Sequence, residues 1–171
     1  MGRLAGKNIF ITGGNSGIGL AAAQEFDREG ARVAICGLNE ASLQAAKETL
    51  GPGSLAVHAD VSNLTDLDTM FATIKREFGH LDGVFVNAGY SVFLPFEEMT
   101  EQNFDRVIAV NFKGAYFTIQ KALPHCEKDY RQKRKLLPFR KLQPPRDFEG
   151  FHIASHPLPS LLHHVLFLAT Y

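Results

Sequence analysis

Eight consecutive residues, Thr12-Gly13-Gly14-Asn15-Ser16-Gly17-Ile18-Gly19, restrict what this chain can fold into more than any other feature. They follow a short apolar run, Lys7 to Thr12, that reads as a buried strand. They open a stretch from Gly17 to Glu29 with helical periodicity, in which Ile18, Ala21, Ala22 and Phe26 are expected to share the inner face. Gly13 permits a tight turn, and Gly17 lets backbone N–H groups approach a ligand with no Cβ in the way. Gly19 allows close packing of helix on strand. The start of a helix also carries partial positive charge. Strand, glycine turn and helix start together predict a cradle for a pyrophosphate.

The rest of the first 124 residues repeats the same alternation. Ala31–Cys36 reads as a second strand and Glu40–Leu50 as a second helix, closed by Gly51-Pro52-Gly53. Ser54–Asp60 is a third strand. Asn63 is placed to cap a helix over Leu64–Phe78, with Leu67, Met70, Phe71 and Ile74 inward. A fourth strand follows at Gly83–Asn87. Thr100 is placed to cap a long helix from Glu101 to about Leu123, with Phe104, Val107, Ile108, Asn111 and Ala115 at helical spacing. Strands alternating with helices through short connections predict an α/β fold: a doubly wound, Rossmann-type parallel sheet. Right-handed crossovers give about four strands in the order 3-2-1-4, an incomplete sheet.

Composition divides the chain. Net charge is zero, which gives no general pull toward nucleic acid or membrane. Residues 125–171, however, carry eight Lys and Arg against four Asp and Glu, five of the seven histidines and one of the fifteen glycines. Periodicity stops after Pro124. The expected organisation is therefore a 1–124 dinucleotide-binding half and a 125–171 irregular, basic, Pro/His-rich tail. Cys36 and Cys126 form no zinc-type spacing, and Cys36 reads as a small buried hydrophobe. His152 and His156 have i, i+4 spacing but no third ligand, so no metal site is expected. The basic run from Lys128 to Lys141 reads as a solvated charge run, not a nucleic-acid surface. No apolar run is long enough for a signal peptide or membrane span, so a cytoplasmic setting is expected.

Four motifs in register, Thr12-Gly13-x-x-x-Gly17-Ile18-Gly19, Asp60-Val61, Asn87-Ala88-Gly89 and Asn111-Phe112-Lys113-Gly114, make the chain resemble the short-chain dehydrogenases/reductases. The resemblance covers about 110 residues. It implies an NAD(P)-dependent oxidoreductase that moves hydride between carbonyl and alcohol. It assigns Thr12, Gly13, Asn15, Ser16, Gly17, Ile18 and Gly19 to the cofactor's phosphates. Asp60, with Val61 beside it, is assigned to the adenine amino group, the alternative being a turn cap. Asn87 ties the sheet together beside the cofactor, and Ala88 and Gly89 pass close to ribose. Asn111 is implied as a catalytic-site residue whose backbone carbonyl helps to hold a relay water.

The second strand ends in Cys36-Gly37-Leu38-Asn39. An acid there would select NAD and an Arg would select NADP. Gly37 removes the acid, so the reading leans to NADP, with NAD the alternative.

The family's chemistry also needs a Ser, a Tyr and a Lys four residues after the Tyr, since hydride transfer must be accompanied by proton transfer. These are not found here. The window where the Tyr is expected, Phe148 to His156, holds neither Tyr nor Lys. Tyr130-Arg131-Gln132-Lys133-Arg134 comes too early and ends in Arg, which is no substitute for Lys. The chain thus reads as a truncated or altered member, inactive as it stands. The alternative is a non-catalytic dinucleotide-binding or hetero-oligomer module. A homo-oligomer through the helix 101–123 is also expected, and a small carbonyl or alcohol substrate only if the chain is active. The fourth strand is expected to be a bare apolar edge unless the end of the chain, Val165 to Leu168, covers it.

Overall fold

The computed structural model describes residues 2–126. Its four strands are β1 (Asn8–Thr12), β2 (Arg32–Gly37), β3 (Leu55–His58) and β4 (Gly83–Phe85). All pair in parallel, in the order β3-β2-β1-β4. The expected doubly wound sheet is therefore present. Five residues of β2 pair with β1, from Asn8↔Arg32 to Thr12↔Cys36.

Each strand is apolar on both sides because both sheet faces are covered. On one face Ile9, Ile11, Val33, Ile35 and Phe85 pack against α1 (Gly17–Arg28) and α2 (Glu40–Glu48) through Ala23, Leu43 and Ala46. On the other, Phe10, Ala34 and Cys36 meet Leu67, Met70, Phe71, Ile74 and Phe78 of α3 (Leu64–Phe78). Phe10 and Phe71 meet edge to face at 5.5 Å, a favoured aromatic geometry. Asn63 caps α3 by accepting the Thr65 N–H, and Asn39 caps α2 by accepting that of Ser42.

Two expected helix faces are rotated in the structure. In α1 the buried positions are Gly19 and Ala23, with the expected Ala22 and Phe26 packed against the core beside them, while Ile18 is 59% exposed and Ala21 is also outward. Gly19 sits hard against the β1–α1 turn, and this contact sets the helix rotation. The helix expected over 101–123 has three parts: α4 (Glu101–Ile108), a π-helical segment Ala109–Gly114, and α5 (Ala115–Ala122). Phe104 and Ile108, expected inward, are exposed, and Val110, Gly114, Thr118 and Ala122 are buried instead. The π segment adds residues to its turn. Successive steps of four therefore stay nearly in line across it, and Phe104, Ile108, Phe112 and Tyr116 form one outward apolar stripe.

The edge beyond β4 is partly occupied. Leu81 donates its N–H to the His125 carbonyl at 2.8 Å and forms a parallel bridge with Cys126. Phe85 and Val86 are buried. Residues 127–171, which include the charge run, Tyr130, His152, His156 and the apolar end, lie outside the described residues. No helix among the described residues is long and apolar enough to cross a membrane.

His125 fastens this edge. Its ring stacks on Phe71 at 5.5 Å, nearly parallel, and its buried Nδ1 has no hydrogen-bond partner among the described residues. Burial, and then the nearby Lys75 cation of α3, hold the imidazole below its ordinary value of 6.5. As pH falls through that ordinary value, the unfolded chain takes up a proton that the folded chain resists. The stability His125 contributes is thus present above it and lost below. Denaturation midpoints measured from pH 7.5 to 5 will fall more steeply for the native chain than for His125→Phe, which keeps the stack and removes the titration.

Candidate active site

The groove lies at the carboxyl ends of the strands, where parallel α/β sheets place their ligands. It encloses about 520 Å³, within the range of small-molecule sites. It is built outward from the β1–α1 turn. Gly13 and Gly17 hold left-handed backbone, with φ of +65° and +52°. A Cβ on Gly17 would meet nothing within 4 Å, so the chain there faces open space. A Cβ on Gly19 would lie 2.2 Å from the Gly13 carbonyl oxygen, so this position excludes any larger residue.

Ser16 heads α1, yet its side chain makes no capping bond, and no acidic residue stands in the first turn. The first backbone bond of the helix is Leu20 N–H to Ser16 O. The N–H groups of Gly17, Ile18 and Gly19 have no hydrogen-bond partner among the described residues. Free donors at the positive end of a helix dipole, facing an open groove, are able to receive an anion.

Thr12 and Asn87 hold this turn in place. The buried Thr12 Oγ1 accepts the N–H groups of Asn87 and Ala88, each at 2.9 Å. Asn87 Nδ2 donates back to the carbonyls of Thr12 and Gly13, at 3.0 and 3.2 Å. Asn87 thus ties β1 to the end of β4, and Ala88 and Gly89 line the groove.

Asn111 also acts through its side chain. Its Oδ1 accepts the Tyr90 N–H and its Nδ2 donates to the Tyr90 carbonyl, both at 2.8 Å. It lies in the π segment and clamps the irregular segment that follows Gly89. Gly114 lets this segment reach Val61, whose Cγ2 would lie 2.9 Å from an added Cβ.

Asp60 fills two roles at once. Its Oδ1 accepts the Ser62 N–H at 2.9 Å and the Ser62 hydroxyl at 2.7 Å, which is the turn-cap alternative of the sequence reading. Its Oδ2 faces Arg106 across 3.7 Å, and both residues line the groove with Val61 and Val110.

At the end of β2, a Cβ on Gly37 would lie 2.4 Å from Asn15 Oδ1, and Asn15 Nδ2 donates to Ser42 Oγ at 2.8 Å. A side chain at 37 would thus require Asn15 to move. Leu38 is half exposed at the rim, and its carbonyl meets His58 Nε2 at 2.9 Å. Cys36 lines the groove floor, but burial pushes its thiol up to about 12, so it is not a nucleophile.

A family model described as short chain dehydrogenase matches residues 7–133. The chain belongs to the short-chain dehydrogenase family. An oxidoreductase of Sarocladium schorii, asL5, is 48% identical over 122 residues, covering 71% of this chain and 49% of the relative. An L-fucose dehydrogenase of Rattus norvegicus is 40% identical over 130 residues, 75% of this chain and 47% of the relative. A 3-ketoacyl-(acyl-carrier-protein) reductase from Brucella melitensis, solved in complex with NADH, superposes with a TM-score of 0.68 at 35% identity. That superposition covers 71% of this chain and 51% of the other. The chain spans about half the length of the curated relatives it matches.

A nicotinamide dinucleotide, NAD or NADP, is the cofactor of this short-chain dehydrogenase family, and the groove fits it. The free donors of α1 suit a diphosphate, the Cβ-free path at Gly13, Gly17 and Gly19 admits it closely, and the apolar lining that includes Val61 and Val110 suits a planar base.

Sequence reasoning missed Tyr90, Ser91, Arg106 and Val110 among the lining residues. Arg106 and Val110 lie four apart and so share a side of the helix, but nothing local marks that side as the groove.

Thr12→Val preserves shape and removes the one acceptor shared by two buried N–H groups. Urea denaturation will show a loss of about 2 kcal/mol or more, and Thr12→Ser will recover most of it.

Proposed function

We propose that this chain is the cofactor-binding half of an NAD(P)-dependent oxidoreductase that moves hydride between a carbonyl and an alcohol. We further propose that the 171-residue chain binds the dinucleotide without turning over substrate. The observation that carries the binding is the uncapped start of α1 beside three glycines, open to the groove. In this reading Thr12, Gly13, Asn15, Ser16, Gly17, Ile18 and Gly19 surround the diphosphate. Asp60 and Val61 take the base, and Asn87, Ala88 and Gly89 flank the ribose. The bound nicotinamide would supply or accept the hydride.

The reading of inactivity rests on the sequence. No Tyr-x-x-x-Lys occurs in the 171 residues, and the one Tyr-x-x-x-basic string ends in Arg134. Asn111 is then a member of the catalytic neighbourhood without a proton donor to serve. A reducing, cytoplasmic setting suits the two free cysteines.

Binding of NADPH and NADH is measured by nicotinamide fluorescence, and turnover with simple carbonyl substrates by absorbance. Saturable binding with no turnover is expected. With no carboxylate at 37 or 38, NADPH is expected to bind more tightly than NADH by no more than about tenfold, or 1.4 kcal/mol. Failure of both to bind at millimolar concentration overturns the binding reading, and steady turnover abolished by Tyr130→Phe overturns the inactive one.

The stripe of Phe104, Ile108, Phe112 and Tyr116 supports self-association through the helix 101–123. Acidic Glu101 and Asp105 precede basic Lys113 along it, so an antiparallel copy brings opposite charges together. Light scattering at tens of micromolar is expected to give a dimer or larger species, and Phe112→Glu a monomer. A monomeric native chain contradicts this.

A further inference from the structure

Among the described residues only two charged side chains line the groove, Asp60 and Arg106, and they stand side by side. Asp60 has committed Oδ1 to Ser62, which leaves Oδ2 as its outward acceptor. Arg106 Nη2 lies 3.7 Å from that oxygen, beyond hydrogen-bond range. Its Cζ lies 5.8 Å from the centre of the Tyr90 ring, and 47% of its side chain is exposed. No hydrogen bond holds the guanidinium among the described residues. An acceptor that cannot donate and a donor that cannot accept therefore line the groove together with the apolar Val61 and Val110.

This pair presents a two-part pattern to the edge of a purine. Adenine offers an N6 amino donor, which Asp60 Oδ2 can accept, flanked by the ring acceptors N1 and N7, to either of which Arg106 can donate. A 6-oxopurine such as hypoxanthine offers an N1–H donor beside an O6 acceptor. A lone carboxylate would face O6 with charge of the same sign and reject it. Here N1–H can donate to Asp60 Oδ2 while Arg106 donates to O6, as Arg does toward the O6 of guanine in nucleic acids.

We propose that Arg106 is a specificity-determining residue of the groove: it makes the base site accept a 6-oxopurine dinucleotide as well as the adenine form. The inference rests on the dinucleotide reading above and extends it to the base. Arg106 touches the base edge and takes no part in hydride chemistry. Its exposed position on α4 makes substitution there compatible with folding.

The test titrates the full 171-residue chain with reduced nicotinamide adenine dinucleotide and with reduced nicotinamide hypoxanthine dinucleotide, reading nicotinamide fluorescence. The native chain is expected to bind the two within about tenfold of each other, a gap of 1.4 kcal/mol or less. Arg106→Leu should weaken the hypoxanthine form about 10- to 100-fold more than it weakens the adenine form, the discrimination carried by one good base contact. Arg106→Lys, which retains a single charged donor, should restore part of that loss. A native chain that rejects the hypoxanthine form by more than about 100-fold overturns the proposal. So does a Leu variant that weakens both forms alike or neither. A flat titration of the native chain with the adenine form shows that the dinucleotide reading itself has failed, a result distinct from selective loss of the hypoxanthine form.

Discussion

Two side chains, Thr12 and Asn87, keep the start of α1 open. A helix start normally spends its free N–H groups on a capping side chain. At α1 the cap is absent because the turn is held from behind: Thr12 gathers two N–H groups from the end of β4, and Asn87 returns two bonds to the turn. The turn is thus fixed without spending the donors of Gly17, Ile18 and Gly19. Those donors are thereby available to an anion.

That arrangement explains how little charge the groove contains. Among the described residues one acid and one base line it, and they offset each other. In the proposed reading, attraction for phosphate comes from backbone dipoles, whose positions are set by the sheet, and not from mobile cationic side chains. The sheet is accordingly rigid where it matters. The β1–β2 ladder is fully paired, both faces are covered, and the strands end together at the groove. The π segment serves the same end, since it turns Asn111 to clamp Tyr90 and brings Gly114 against Val61.

The sheet order and the phosphate turn were legible in the sequence because both are written in local terms. Apolar runs of strand length alternate with helical periods, and glycine marks the positions where a Cβ cannot fit. The caps at Asn63 and Thr100 were legible for the same reason. What escaped was relational. Phe104 and Ile108 have the spacing of a buried face, but the same helix carries a second set of small residues, Gly114, Thr118 and Ala122, that packs closer. Spacing alone does not say which of two faces wins. The π segment has no local signature at all, and Arg106 became a groove residue only when α4 was laid beside the β3–α3 turn. Gly37 was read through its missing charge, whereas the structure shows that the Asn15 side chain occupies the space.

The central claim is that free backbone donors at the start of α1 receive a diphosphate. Amide chemical-shift mapping of the isotopically labelled chain, during titration with a nicotinamide dinucleotide, tests it at the atoms concerned. The account predicts saturable shifts of the Gly17, Ile18 and Gly19 amides, larger than those on the far side of the sheet. Binding that leaves those three amides unmoved, or no perturbation anywhere at millimolar ligand, would contradict it.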